Sequence, residues 1–165
     1  MEEVKPIGED PTGHEYMKRA IRALLNGYPG LDGEKIRFEE LGEETGIAFS
    51  ADSGALVMSE RPSITGHVTQ TCQFPFLVVY RTTSTREFEK LNVSAFLDSL
   101  GKWICREPVE IDGEAHRLLS YPEISDGRTI TRITRSNSYG TAPNENKSQD
   151  WILPVSVQYT YEFDL

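Results

Sequence analysis

Residues 155–165 read Val-Ser-Val-Gln-Tyr-Thr-Tyr-Glu-Phe-Asp-Leu, a strict alternation of apolar and polar side chains. Successive side chains of a strand point to opposite faces, so this pattern predicts an antiparallel strand with one buried and one wet face. It puts Val155, Val157, Tyr159, Tyr161, Phe163 and Leu165 on the buried side and ties the end of the sequence into a sheet. A second strong strand is predicted over His67–Arg81. Phe74, Phe76, Val78 and Tyr80 share one face there and Leu77 and Val79 the other, so both faces are expected to be covered near its end. Pro75 has no amide to donate to a ladder, which predicts an edge position or a bulge. Arg128–Arg135 is rich in β-branched residues and reads as a third strand.

Two helices stand between these runs. Thr12 with Glu15 fits a capping box, and Tyr16, Met17, Ala20, Ile21, Leu24 and Leu25 follow at helical spacing until Asn26 and Gly27 stop the turn. Ser84 with Glu87 fits a second capping box. Phe88, Leu91, Phe96, Leu97, Leu100, Trp103 and Ile104 then form a broad apolar stripe that ends before Pro108, with Trp103 expected in the core. Lys35–Leu41 and Gly46–Ser50 read as a hairpin across the turn at Glu43–Gly46, and Val109–Gly127 as a polar, turn-rich stretch. The segments 1–11, 51–66 and 136–150 are polar, with glycine, proline or serine, and are expected to be flexible; 51–66 is read as an exposed arm or loop.

The chain has 165 residues, a size for one domain over 1–165 with one core. Cys72 and Cys105 are too few for a disulfide framework, which points to a reducing cytosol, and both are expected to be buried, inert thiols. Met1–Pro11 is acidic with no apolar run, so no signal peptide is expected, and no later run is long enough to span a membrane.

The net charge of -9 disfavours binding to free DNA or an anionic membrane surface. The excess is uneven: residues 1–66 hold 13 acids and 7 bases, residues 67–165 hold 13 acids and 10 bases. Gly127–Pro143 holds Arg128, Arg132 and Arg135 with no acid, and Glu39, Glu40, Glu43 and Glu44 cluster at the predicted turn. Such strips suit contacts with another chain of opposite charge, and the three arginines are expected to be exposed on one strand.

Motifs for chemistry are missing. His14, His67 and His116 stand in separate segments, away from the short spacings of a metal site. There is no G-x-S-x-G elbow and no glycine-rich nucleotide loop, so no catalytic residue, cofactor or metal is assigned. A small ligand-binding or hydrolytic domain stays open as an alternative, because Ser, His and Asp are present at distances the sequence does not give.

One resemblance organises these elements. The order runs from a helix ending near Asn26 through short strands to the aromatic strand Gln73–Arg81. A helix then opens at Arg86, Glu87 and Phe88 and closes on Trp103 and Ile104, followed by a segment at Ser136–Gly140 and a final alternating aromatic strand. This resembles the tail-terminator group of long-tailed bacteriophages, often labelled minor capsid proteins, over most of Glu15–Leu165. The resemblance implies an α+β domain with a mixed, mainly antiparallel sheet flanked by two main helices. It implies a structural, non-enzymatic virion protein at the head-tail junction, assembled in the bacterial cytoplasm. Its partners would be itself in a six-fold ring, the tail tube protein and a head-completion or connector protein, with DNA passing through the ring unbound. A connector or tail tube subunit is the nearest alternative. The low-numbered acidic cluster and the arginine strip then become candidate subunit contacts, because a ring needs unlike patches on one protomer.

Overall fold

The computed structural model describes residues 5–31, 33–39, 41–42, 45–83 and 87–165, and for 87–91 the backbone only. The two long runs form strands β5 (His67–Thr82) and β10 (Gln149–Asp164), paired antiparallel from Gln149↔Thr82 to Asp164↔His67. This pair is the spine of an eight-stranded, mainly antiparallel sheet. On the β5 side follow β3 (Gly46–Ala51) and β4 (Leu56–Pro62), with β1 (Gly8–Glu9) beyond β4 and β2 (Ile36–Phe38) beyond β3. On the β10 side lie β8 (Arg128–Arg135) and β9 (Tyr139–Gly140). A separate two-stranded ribbon joins β6 (Val109–Ile111) to β7 (Glu114–His116).

Helices α1 (Pro11–Asn26) and α2 (Glu87–Ile104) cover one sheet face. Met17, Ile21, Leu24 and Leu25 from α1, and Leu97, Leu100, Trp103 and Ile104 from α2, pack on Phe74, Phe76, Val78, Leu153, Val155, Val157 and Tyr159. Trp103 is therefore core, wedged against Tyr28. Burying each large apolar side chain contributes about 1.5–3 kcal/mol, so this layer dominates the stability.

The structure corrects several expectations. Helix α1 is capped two residues earlier than Thr12: Asp10 is the N-cap, its carboxylate accepts from the Gly13 amide, and Pro11 stands in the first turn, where no donor is missed. The capping box at Ser84 lies outside the described residues. Leu77 and Val79 lie on the face without helices, half-buried among Pro154, Ile152 and Ala48 rather than under a second layer. Pro75 is neither at an edge nor in a bulge. It sits mid-sheet, opposite Ser156, where β3 has ended at Ala51 and β4 has not yet begun at Leu56, so no ladder amide is wanted of it. Its carbonyl accepts from Asp52.

Strands β2 and β3 are parallel, with Ile36 opposite Ile47, and form no hairpin. Alternation does not encode strand direction, and a three-residue strand needs a return of only about 10 Å. The Asn26 side chain completes β2: its amide bonds both the N–H and the C=O of Ile36. The segment 51–66 carries strand β4 over Leu56–Pro62, with Ala55 and Val57 buried. Residues 8–9 pair with β4, and 136–150 carries β9 and backbone bonds such as Thr141 to Asp150. Within Val109–Gly127 the β6–β7 ribbon closes through Asp112 and Gly113, both with positive φ.

Candidate assembly surface

The three arginines of β8 do not share a face. Opposite β10, the register slips at Thr131: Tyr159 faces Ile130 and Gln158 faces Arg132, leaving Thr131 as the extra residue of a bulge. Its hydroxyl donates to the Gln158 carbonyl. Before the bulge Arg128 and Ile130 point under the helices; after it Ile133 and Arg135 do, and Arg132 is turned out with Thr131 and Thr134.

Arg128, expected on the surface, is buried at 3% exposure. Its Nη2 and Nε donate to the two carboxylate oxygens of Asp10 at 2.7 and 3.1 Å, and Nη1 reaches Asp126 at 2.9 Å. The guanidinium lies 3.8 Å over the Tyr161 ring, a cation–π contact. Asp10 also accepts from the Tyr159 hydroxyl at 2.8 Å and from the Gly13 amide. Burial pushes the Asp10 carboxyl up, but the bonds from Arg128, Tyr159 and Gly13 and the Arg128 charge outweigh it and hold the group below its ordinary value. Gly13 is required here: a Cβ would strike the Asp10 carboxylate and come within 2.6 Å of the Tyr159 hydroxyl. Arg128 is thus a structural bolt between the start of α1 and the sheet, and it leaves the list of contact residues.

Arg132 and Arg135 line a concavity of about 660 Å³ between β8, the end of α2 and the segment after β7. Two arginines not singled out from the sequence complete it. Arg106 donates to the Leu118 and Leu119 carbonyls, and Arg117 donates to the Arg106 carbonyl. Among the described residues that line it, Glu107 is the one carboxylate, 3.8 Å from Arg135. Their separation in sequence hid the cluster, since Arg106 and Arg117 reach β8 only through the fold.

Of the acidic cluster, Glu39 is exposed, has φ 51°, and donates its amide to the Phe49 carbonyl. Glu40, Glu43 and Glu44 lie outside the described residues. Glu39 follows β2, and the strands run β2–β3–β5–β10–β8 across the sheet, so Glu39 and Arg132 belong to opposite edges. Lys35 precedes β2 and Arg37 lies within it, so that edge is mixed in charge.

No reactive centre is assembled among the described residues. His67 Nδ1 meets Asp164 at 2.9 Å, the start of a Ser-His-Asp relay, but its Nε2 faces Glu162 at 3.6 Å. The nearby Ser63 hydroxyl bonds Thr65 and the His67 amide instead. His14 packs on Phe74, and His116 stands on β7 beside Glu114. No group of three or more His, Cys, Asp or Glu is placed to hold a metal among the described residues, and none of their helices is long and apolar enough to cross a membrane. Cys72 is fully buried, and burial first, with the Asp10 charge, pushes its thiol up to about 11. Cys105 is half-buried, with burial pushing its thiol up as well.

No protein-family model matches the chain, and no curated protein matches it.

Proposed function

We propose that this chain is a structural, non-enzymatic virion subunit of a long-tailed phage, forming a ring at the head-tail junction that ends the tail tube. The element order that resembles tail terminators motivates the reading. The observation that carries it is the placement of two different surfaces, the mixed-charge edge at β2 with Glu39 and the arginine concavity at β8, on opposite sides of one sheet. A closed ring is built from heterologous contacts, in which each copy offers one patch to the neighbour on either side. The β2 and β8 edges are blunted against open-ended strand addition: Asn26 occupies β2 at Ile36, and Tyr121 receives a backbone bond from Ile133 of β8. Side-chain charge rather than a continued ladder then selects the neighbour. The overall charge of -9 per copy favours passage of DNA without adhesion.

Negative-stain microscopy of the purified protein at high concentration tests this. The expected images are single rings of one diameter, lost in Arg132→Glu while its circular dichroism is unchanged. Extended tubes would replace the terminator by a tail tube subunit, and a monomer at every concentration would remove the ring.

A further inference from the structure

The arginine concavity is built in more detail than a stray basic patch. Helix α2 closes with the Arg106 amide bonded to the Trp103 carbonyl and the Glu107 amide to the Lys102 carbonyl. This is the Schellman arrangement, whose left-handed position is usually glycine. Here Arg106 holds it, at φ 64°. A side chain is strained in that conformation, and a glycine would avoid it. The side chain it retains bonds two successive carbonyls of the segment 118–119 and lies over the Tyr121 ring. Arg106 thereby fixes the far wall of the concavity against α2. Arg117 donates through Nε to the Arg106 carbonyl, and Arg132 is exposed and pairs with no carboxylate among the described residues. Four arginines against Glu107 alone give a surplus of positive charge on a protein that is otherwise acidic.

The shape narrows the ligand. The trough follows β8 from Thr131 to Arg135, about 13 Å of strand, and it is open along that length. A single inorganic phosphate spans too little of it to meet arginines from β8, α2 and the segment after β7 together. A long nucleic acid would run onto a protein surface that repels it. An extended polypeptide places alternate side chains about 7 Å apart on one side, which matches charges spread along a strand. We propose that this concavity is a docking groove for an extended, glutamate- and aspartate-rich segment of another protein chain, gripped by Arg117 and Arg132 and walled by Arg106. The inference rests on the assembly reading only in taking the natural occupant from a neighbouring subunit.

Fluorescence anisotropy with a labelled, glutamate-rich peptide of about ten residues tests it on the full chain. Arg117→Glu with Arg132→Glu is expected to weaken binding about tenfold. The matched exposed double variant on α1, Arg19→Glu with Arg22→Glu, makes the same charge change and is expected to leave binding nearly unchanged. Equal loss in both doubles, no peptide binding to the wild type, or displacement of the peptide by inorganic phosphate or single-stranded DNA of equal charge concentration would overturn the groove. Peptide binding without rings in the microscope would remove the ring and leave the groove. Rings formed by a chain that binds no peptide would remove the groove alone.

Discussion

Replacing Arg128 by methionine keeps most of the buried aliphatic volume and withdraws the charge. The Asp10 carboxylate, 7% exposed, then keeps only the Tyr159 hydroxyl and the Gly13 amide. Removing one partner of a buried ion pair typically costs 3–5 kcal/mol, because the remaining charge stays buried. The two surviving bonds place the expected loss near the lower end, about 3 kcal/mol at pH 7. Domains are stable by roughly 5–15 kcal/mol, so the variant still folds. With a urea slope of about 1–3 kcal/mol per molar, the midpoint falls by about 1–3 M in far-ultraviolet circular dichroism, at unchanged slope. Acid supplies a second signature. The folded-state value of Asp10 lies below its unfolded 3.8, so its contribution is present above that pH and is lost as pH falls through the lower folded value. In the variant the arginine no longer holds the carboxyl down, Asp10 protonates at higher pH, and the gap between variant and wild type narrows on acidification. A midpoint shift smaller than about 0.3 M, or a gap that widens in acid, would refute the assignment of Arg128 as a buried bolt.

Gly13→Ala improves helix propensity by about 1 kcal/mol yet forces a methyl into Asp10 and Tyr159. The expected outcome is a net loss of about 2 kcal/mol, seen as a melting temperature lower by about 4–8 °C; an unchanged or raised melting temperature contradicts the packing described. Cys72, with its thiol pushed up to about 11 and no exposure, should react with a disulfide reagent at pH 8 only as fast as the domain opens. Rapid single-site labelling at Cys72 in the native state would show that the sheet above it is not closed.

The alternating run at 155–165 and the aromatic run from His67 were legible because side chains two apart share a strand face, and that periodicity survives folding in both except at its end: Leu165, expected on the buried side, lies beyond β10 where no helix covers the sheet and is 91% exposed. The described part of the α2 stripe, Phe96 to Ile104, was legible for the same reason at helical spacing, and the stop at Asn26 from the glycine that follows it; Phe88 and Leu91 have side chains outside the described residues. Arg128 was misread because one extra residue at Thr131 swaps the faces of β8, and nothing in Arg-Thr-Ile-Thr-Arg-Ile-Thr-Arg marks where that residue sits. The strand β4 was missed because most of it is solvent-facing polar sequence whose order comes from pairing with β5. The β6–β7 ribbon did have a signal, Asp112-Gly113, a pair suited to a tight hairpin turn. The concavity had none: Arg106 and Arg117 meet β8 only after three separate elements have docked.

The position of β10 bears on how the domain is made in a cell. The strand that binds β5 on one side and β8 on the other is the last of the three to be synthesised. At translation rates of about 5–20 residues per second, β5 waits on the order of ten seconds on the ribosome with its β10-facing edge open. During that interval Phe74, Phe76 and Val78 have helices to lie against but no neighbour along one flank, the state in which nascent strands find wrong partners. The expected cost of making β10 after β5 and β8 is chaperone dependence of the newly made chain rather than of the finished domain.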